Sequence, residues 1–357
     1  MKLQNGGMTV QQIRKSNLIM KKLVLSIIIL LLFSGFAFSQ EIIDQRAATV
    51  NLTKPEIISK KQLTQTVELL KQNGIDKSEM EVLDTMIGDV LLKQGAEREN
   101  IKVSDSEVIN AVRKQLGNAS SNMTDQQLKD LVRRQTGVTW ERYAEKSKAT
   151  IELQKLVQKV KSKKMSNIPN PTPAEIKKFY DENSRQFFIA KMVQFDHIFV
   201  DIRMLSTKEE NDRARERALE YERQIKNGTK TFDQLVENSD DTSSKYNKGS
   251  FGYLRIDDIQ RKKLLGDDFF DSVFNLKKGQ ISGVIKSNMG FHIIRMNDIY
   301  DPRILDIDDK INPESDTTVR QRIESYLIIK KQEDVFKESV EELVDELRKV
   351  AEIKYYL

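Results

Sequence analysis

From residue 40 onward the apolar positions first recur with helical spacing. Met80, Leu83, Met86, Ile87, Val90 and Leu91 fall three and four residues apart, which places them on one face of a helix starting near Ser78. A face that apolar predicts burial against neighbouring elements. Helix starts are marked by a Ser or Thr followed three places later by Gln or Glu: Ser59 with Gln62, Ser104 with Glu107, and Thr124 with Gln127. In that spacing the hydroxyl caps one free backbone N–H and the longer side chain reaches back to another. Asn73-Gly74 and Gly137 close helices. A long helix is predicted from Trp140 to Lys163, its last turn rich in lysine as the helix dipole favours.

The prolines at 169, 171 and 173 make Ile168–Pro173 a linker, since they neither continue a helix nor join a central strand. Thr172 then caps a further helix with Pro173 at its first position and Glu175 at its third. Near Phe188 the pattern changes. Met192 to Val200 is rich in branched and aromatic residues, as a strand is. A charged helix follows from about Glu209 to Lys226, ended by Asn227-Gly228, then a short helix around Phe232 to Glu237. Strand-like runs return at Gly252–Ile256 and Phe291–Met296. The order β-α-α-β-α-β predicts an α+β module.

Thr317 to Val350 reads as one amphipathic helix, with Val319, Ile323, Tyr326, Leu327, Val335, Phe336, Val340, Leu343 and Leu347 near helical spacing. A strand-like tail, Ala351 to Leu357, follows it. A free helix this apolar would aggregate, so it is predicted to pack on the N-terminal helices, with the tail beside Ala48–Leu52. Charge agrees: residues 40–189 hold more basic than acidic side chains and residues 299–357 the reverse. The expected organisation is a leader at 1–39, a helical domain at 40–168, a linker and helix at 169–189, a module at 190–300, and a returning helix and strand at 301–357.

The leader is read from Lys21-Lys22, the apolar run Leu23 to Phe33 interrupted only by Ser26, and the small residues Ala37 and Ser39 before Gln40. This is the pattern of a cleavable secretory signal, with Met20 a possible start. The run is shorter than the ~20 residues of a bilayer span, and no Cys follows it, so no stable membrane anchor is expected. Five of the 59 Lys and Arg residues (Lys2, Arg14, Lys15, Lys21, Lys22) precede residue 40, where there is no Asp or Glu, and the remainder equals the 54 acidic residues. A chain neutral beyond its leader lacks the basic surface a nucleic-acid binder needs. With no cysteine among 357 residues, disulfides and Cys-ligated zinc are excluded.

Six segments in order resemble the parvulin family of prolyl isomerases: Phe195 to Val200 (FDHIFV), Phe232 to Asp241 (FDQLVENSDD), Gly249 to Gly252 (GSFG), Phe269 to Leu276 (FFDSVFNL), Lys278 to Gly283 (KGQISG) and Met289 to Ile294 (MGFHII). The flanks EIIDQRAATVN, EVLDTMIGDVLLKQGAE, VSDSEV and PTPAEIKKFYDEN resemble SurA-type periplasmic chaperones and PrsA-type foldases. Together the resemblance covers nearly the whole chain beyond the leader. It departs from SurA in having one parvulin module where that protein has two. It implies a multi-helix chaperone body built from the N- and C-terminal segments, with one inserted parvulin-like domain of the FKBP-like superfold.

Prolyl isomerisation requires rotation about an X–Pro amide across a barrier of ~18–20 kcal/mol. A catalyst can hold the ring in an apolar slot and preorganise polar groups around the carbonyl. Carried over by position, the resemblance implies His197, His292 and Asp241 as the polar cluster and Phe251, Leu265 and Phe269 as the proline pocket. Met289 lies on the substrate rim, at a place often polar or aromatic. His197 and His292 are the only histidines in the chain. The loop from Asp241 to Gly252 is one residue longer than the usual pattern, and Lys248-Gly249-Ser250 replaces the common Gly-Gly-Asp/Gln.

The residues leave three readings open: an active isomerase site, a structural hydrogen-bond network in an inactive parvulin fold, and a His-His-Asp metal site. The resemblance implies no cofactor and no metal, and a periplasmic protein, monomeric or dimeric. Its partners would be unfolded exported polypeptides, outer-membrane proteins among them. With no ATP in that compartment, clients would be held passively; Met80, Met86 and Met123 are candidates for adaptable contact, with core packing the commoner role for most of them. The rival emphases are a chaperone whose isomerase is secondary, a foldase whose body only positions substrate, and an interaction protein.

Overall fold

The computed structural model describes residues 45–120 and 122–357, so the leader segment lies outside the described residues. The chain divides into two compact units: the described residues through Pro169 with Ile328–Leu357, and Asn170–Leu327. Nine strands form among the described residues: β1 (Arg46–Asn51), β2 (Pro55–Ser59), β3 (Phe188–Ile189), β4 (Met192–Asp201), β5 (Ser250–Arg255), β6 (Ile285–Lys286), β7 (Gly290–Tyr300), β8 (Arg303–Ile304) and β9 (Glu352–Tyr355). No helix among these residues is long and apolar enough to cross a membrane.

In the first unit each capping signature opens a helix. Ser59, Ser78, Ser104 and Thr124 all accept from the backbone N–H three residues on, and Gln62, Glu81, Glu107 and Gln127 return the bond. The helix Glu79–Arg98 is central, burying Val82, Leu83, Met86, Ile87, Val90, Leu91, Leu92 and Ala96 on almost every side. Met80 departs from the expected face: it is 54% exposed. It sits in the first turn, before the helix enters the core, so periodicity continues where packing has not begun. Trp140–Val160 ends three residues earlier than expected, where Lys161 leaves helical geometry, and Ser162–Ser166 follows as a separate turn.

Against the central helix lies the end of Val319–Arg348. Its Val344 would be 3.6 Å from a Cβ on Gly88, and Leu347 3.0 Å from one on Gly95. Glycine at 95 thus permits an approach that a methyl group would crowd. Lys161 and Lys164 reach Glu338, Glu342 and Glu346 at 2.7–3.4 Å. These exposed pairs orient the helix more than they stabilise it. The tail completes the three-stranded sheet β2-β1-β9, with Ala48 opposite Tyr355 and Val50 opposite Ile353. Strand β2 had no signal in the sequence because it opens on Pro55, which a strand accepts only at its start or on an edge.

The buried Gln94 holds the turn between β1 and β2. Leu52 and Thr53 N–H donate to its Oε1 at 2.8 and 3.0 Å, and its Nε2 donates to the Lys54 carbonyl at 3.0 Å. One side chain therefore satisfies three backbone groups that no strand pairs. Asp89 on the same helix is the opposite case. Its Oδ2 is shut off from solvent without a hydrogen-bond partner, and burial pushes its carboxyl up to about 7.

The second unit is a layered module. The antiparallel sheet β5-β4-β7-β6 has helices on both faces. On one face Ile198 and Ile293 pack with Phe232, Leu235 and Val236, and Val200 and Phe291 with Ala214 and Ala218 of the helix Lys208–Lys226. On the other, Val193, Phe195, Ile294 and Met296 pack with Leu265, Phe269, Phe270 and Val273 from the helices Ile259–Leu265 and Asp267–Phe274. A strand covered on both faces reads as a continuous apolar run, which is why β4 was conspicuous in the sequence. The unit is wider than residues 190–300: Ile176, Leu305, Val319 and Ile323 form a further cluster in it.

Two outcomes are expected in the first unit, followed by urea unfolding through Trp140 fluorescence. Gln94→Leu strands two backbone donors and one acceptor and lowers stability by about 1–3 kcal/mol; an unchanged midpoint would remove its assigned role. For Asp89 the folded carboxyl holds its proton at a pH where the unfolded one has lost it, so stability falls as pH rises from about 4 to about 7. Asp89→Leu should abolish that fall and raise the midpoint at pH 8.

Candidate functional site

The sheet places the two histidines on adjacent strands without setting them directly opposite. In the β4–β7 register His197 pairs with Ile294 and Phe199 with His292, so the two imidazoles are diagonal neighbours on one face. Their Nδ1 atoms meet at 3.2 Å, and both residues are only 2% exposed. Four buried ring nitrogens must then find partners. Asp241 Oδ2 lies 3.0 Å and Ser244 Oγ 3.1 Å from His197 Nε2, while Ser287 Oγ lies 2.8 Å from His292 Nε2.

Donor counting orders the protons along this chain. An ionised carboxylate only accepts, so His197 Nε2 carries hydrogen toward Asp241. With one proton on each ring, His197 Nδ1 accepts from His292 Nδ1–H, and His292 Nε2 accepts from the Ser287 hydroxyl. Ser287 Oγ in turn accepts from Met289 and Gly290 N–H at 3.1 and 3.2 Å. Both nitrogens of each ring are engaged, leaving no pair of lone pairs aimed at a common metal.

Asp241 has two tasks. Its Oδ1 accepts from Ser243 and Ser244 N–H at 3.0 and 3.3 Å, opening the turn Thr242–Tyr246, while Oδ2 faces the imidazole. The His197 hydrogen bond, with the backbone N–H of Ser244, holds its carboxyl well below the ordinary range. His292 goes the other way for a base: burial foremost, then the neighbouring imidazole, depress it well below its usual value, so it is neutral.

Aromatic rings enclose the pair. Phe269 and Phe199 lie 4.7 Å from His292, Phe251 lies 5.2 Å from His197 edge-on, and Phe251 stacks on Phe195 at 4.5 Å between centroids. Leu265 and Phe269 are buried, Phe251 and Met289 partly so, and all four belong to one apolar cluster. The structure therefore brings His197, Asp241 and His292 into one network and sets Phe251, Leu265, Phe269 and Met289 against it. The loop that departs from the family pattern is tightly built. Gly249 accepts the His197 N–H at 2.7 Å, and a Cβ there would stand 2.9 Å from Val236. Lys248 before it has φ +57°, a left-handed conformation costing a non-glycine about 1–2 kcal/mol.

Ser244, Ser287 and Arg261 escaped the sequence reading. The first two were discernible only as hydroxyls three residues after Asp241 and five before His292. Arg261 sits on the helix Ile259–Leu265, with its guanidinium 5.5 Å from the Phe251 ring. The body methionines part company: Met86 is buried, Met123 partly exposed and Met80 exposed.

Residues 197–298 match the PPIC-type peptidyl-prolyl isomerase domain family, and residues 9–157 match the SurA-like N-terminal domain family. A chaperone SurA of Hydrogenovibrio crunogenus is 27% identical over 77% of this chain and 59% of its own length. A foldase protein PrsA of Caldanaerobacter subterraneus is 27% identical over 74% of this chain and 67% of its own. The chain thus spans about three fifths of that SurA. Among solved structures, a SurA-like chaperone of Campylobacter jejuni is 16% identical with a TM-score of 0.39, covering 88% of this chain and 100% of that one. The peptidylprolyl isomerase PrsA of Bacillus anthracis is 20% identical with a TM-score of 0.27, covering 73% and 96%.

The neutral, buried His292 gives this module a pH dependence of definite sign. Below about pH 6.5 the unfolded chain takes up a proton that the folded site refuses, so stability falls on acidification, by up to about 1.4 kcal/mol per pH unit. Asp241 contributes stability that is present above about pH 4 and lost only further below, outside this window. Amide-exchange opening free energies for β4 and β7, measured from pH 7.5 to 5, should decline in the wild type and be flatter in His292→Gln. An identical slope in the variant would exclude His292 as the source.

Proposed function

We propose that this chain, which joins a SurA-like N-terminal domain to one PPIC-type peptidyl-prolyl isomerase domain, is a periplasmic foldase that holds unfolded exported polypeptides and isomerises their X–Pro bonds. The observation that carries the catalytic part is the ordered chain Asp241–His197–His292–Ser287, set against the apolar cluster of Phe251, Leu265, Phe269 and Met289. Isomerisation makes and breaks no lasting bond. As the amide twists, its carbonyl oxygen loses negative charge and its nitrogen regains a lone pair. A site whose dipoles are fixed in advance stabilises that redistribution without reorganising at the moment of reaction. The apolar wall holds the ring and excludes water.

The holding part is supported by relatives named chaperone SurA and foldase PrsA, and by a helical body with its own core. The periplasm is assigned on the likeness to proteins named chaperone SurA and on the charged-then-apolar segment at Lys21–Phe33. Outer-membrane proteins are the client class we assign on the SurA relationship. The second reading, an inactive parvulin fold on a working chaperone, draws on the same network, since a fully satisfied histidine pair also orders a sheet.

A protease-coupled assay on a short Ala-Pro peptide, with the full chain, separates these readings. The wild type should accelerate isomerisation, and Asp241→Ala and His292→Ala should each lower kcat/KM at least about tenfold, the scale of one lost transition-state interaction. Both variants should still suppress aggregation of an unfolded outer-membrane protein. A wild-type rate equal to that of the variants would leave the chaperone reading alone.

A further inference from the structure

The end of the parvulin-like sheet remote from the histidines holds a cleft of about 540 Å³, within the roughly 300–1,000 Å³ of ligand pockets. It lies five residues along β4 from His197, at Met192, about 17 Å away at ~3.4 Å per residue. Its floor is apolar: Ala190, Met192 and Leu305 are buried, and Ile189, Ile299 and Ile311 partly so.

The charges around this floor are unequal in kind. Arg255, Arg303 and Lys310 stand on the rim, but each is paired, with Asp257 at 2.7 Å, Asp309 at 2.5 Å and Asp316 at 2.9 Å. They exert little pull on an anion. Asp301, exposed on the same rim, has no ion pair or hydrogen bond among the described residues. The free charge of the cleft is therefore negative.

One wall is the ribbon of β3 and β8, a sheet of two strands with outer edges that no other strand pairs among the described residues. Ile189 and Arg303 line the cleft, while the next cross-strand pair, Phe188 opposite Ile304, turns to the other face of the ribbon. The unpaired outer edge of this ribbon offers backbone N–H and C=O groups to an extended segment lying in the cleft.

We propose that this cleft is a second polypeptide-binding site, which takes an extended segment with its apolar side chains against Met192, Leu305 and the β3–β8 ribbon and a Lys or Arg beside Asp301. The inference rests on the proposed handling of unfolded polypeptides, though not on turnover at the histidines. A segment held here while a proline lies in the distant slot would be bound at two points of one rigid sheet, raising the effective concentration of the proline at the site.

The test uses the full chain and two labelled nonapeptides that share the same Val, Leu and Tyr residues, lack proline, and differ only in a central Lys or Glu. By fluorescence anisotropy the Lys peptide should bind about threefold to fivefold more tightly, the scale of one exposed ion pair. Asp301→Lys should reverse the order, and Phe188→Ser, on the ribbon's other face, should leave both affinities unchanged. Backbone resonances of Tyr300, Leu305 and Ile311 should move, and Asp301→Lys should leave turnover of a short Ala-Pro peptide unchanged. Equal affinities, an order unchanged in Asp301→Lys, or perturbations centred on His197 and His292 would each overturn the proposal. Loss of isomerase activity in the wild type with peptide still mapped to Tyr300 would sink the catalytic reading and leave the cleft standing.

Discussion

Two imidazoles removed from water in the middle of a sheet impose the condition around which the second unit is organised. Each has two ring nitrogens, none can be left without a partner at low cost, and a proton on both rings would place like charges at contact distance. The solution is a single file of donors, running from the Ser287 hydroxyl through both rings to Asp241. With one proton on each ring, its direction follows from the carboxylate, which can only accept.

Holding that file requires parts distant in the chain. Gly249 must bring its carbonyl to the His197 N–H, which Val236 permits only in the absence of a Cβ. Gly290 must pass so close to β4 that a Cβ would fall 2.1 Å from the Val200 carbonyl oxygen. Beneath the histidines, Arg295 bridges Asp196 and Asp233 at 2.8 Å and covers the Phe232 ring, tying β4 and β7 to the helix Phe232–Val236. Rigidity at the site is thus supplied by the opposite face of the sheet. The left-handed Lys248 is the strained point of the loop, and it stands where the chain departs from the family pattern.

The first unit solves a different problem with similar means. Its central helix is apolar on nearly all sides, so it is stable only when surrounded, and the last helix and strand of the chain complete the enclosure. Gln94 lets that helix carry a polar turn on an apolar surface by satisfying three backbone groups at once. Asp89 shows the cost where no such partner exists.

Local rules were enough for much of this molecule. Capping boxes, the proline at 173 and the run at β4 are each written in a few consecutive residues, because a cap, a fixed φ angle and a doubly covered strand are properties of the local chain. The likeness of His197, Asp241 and His292 to a known pattern also lay in short segments. Tertiary structure alone decided that Met80 faces water while Met86 does not, that Pro55 opens an edge strand, and that Ser244 and Ser287 complete the imidazole chain. It also decided that Gln94 is a clamp and that Asp301 borders a cleft. Each of these depends on what another part of the chain brings within a few ångströms. Burial and hydrogen-bond partnership are relations between segments, so a pattern within one segment cannot encode them.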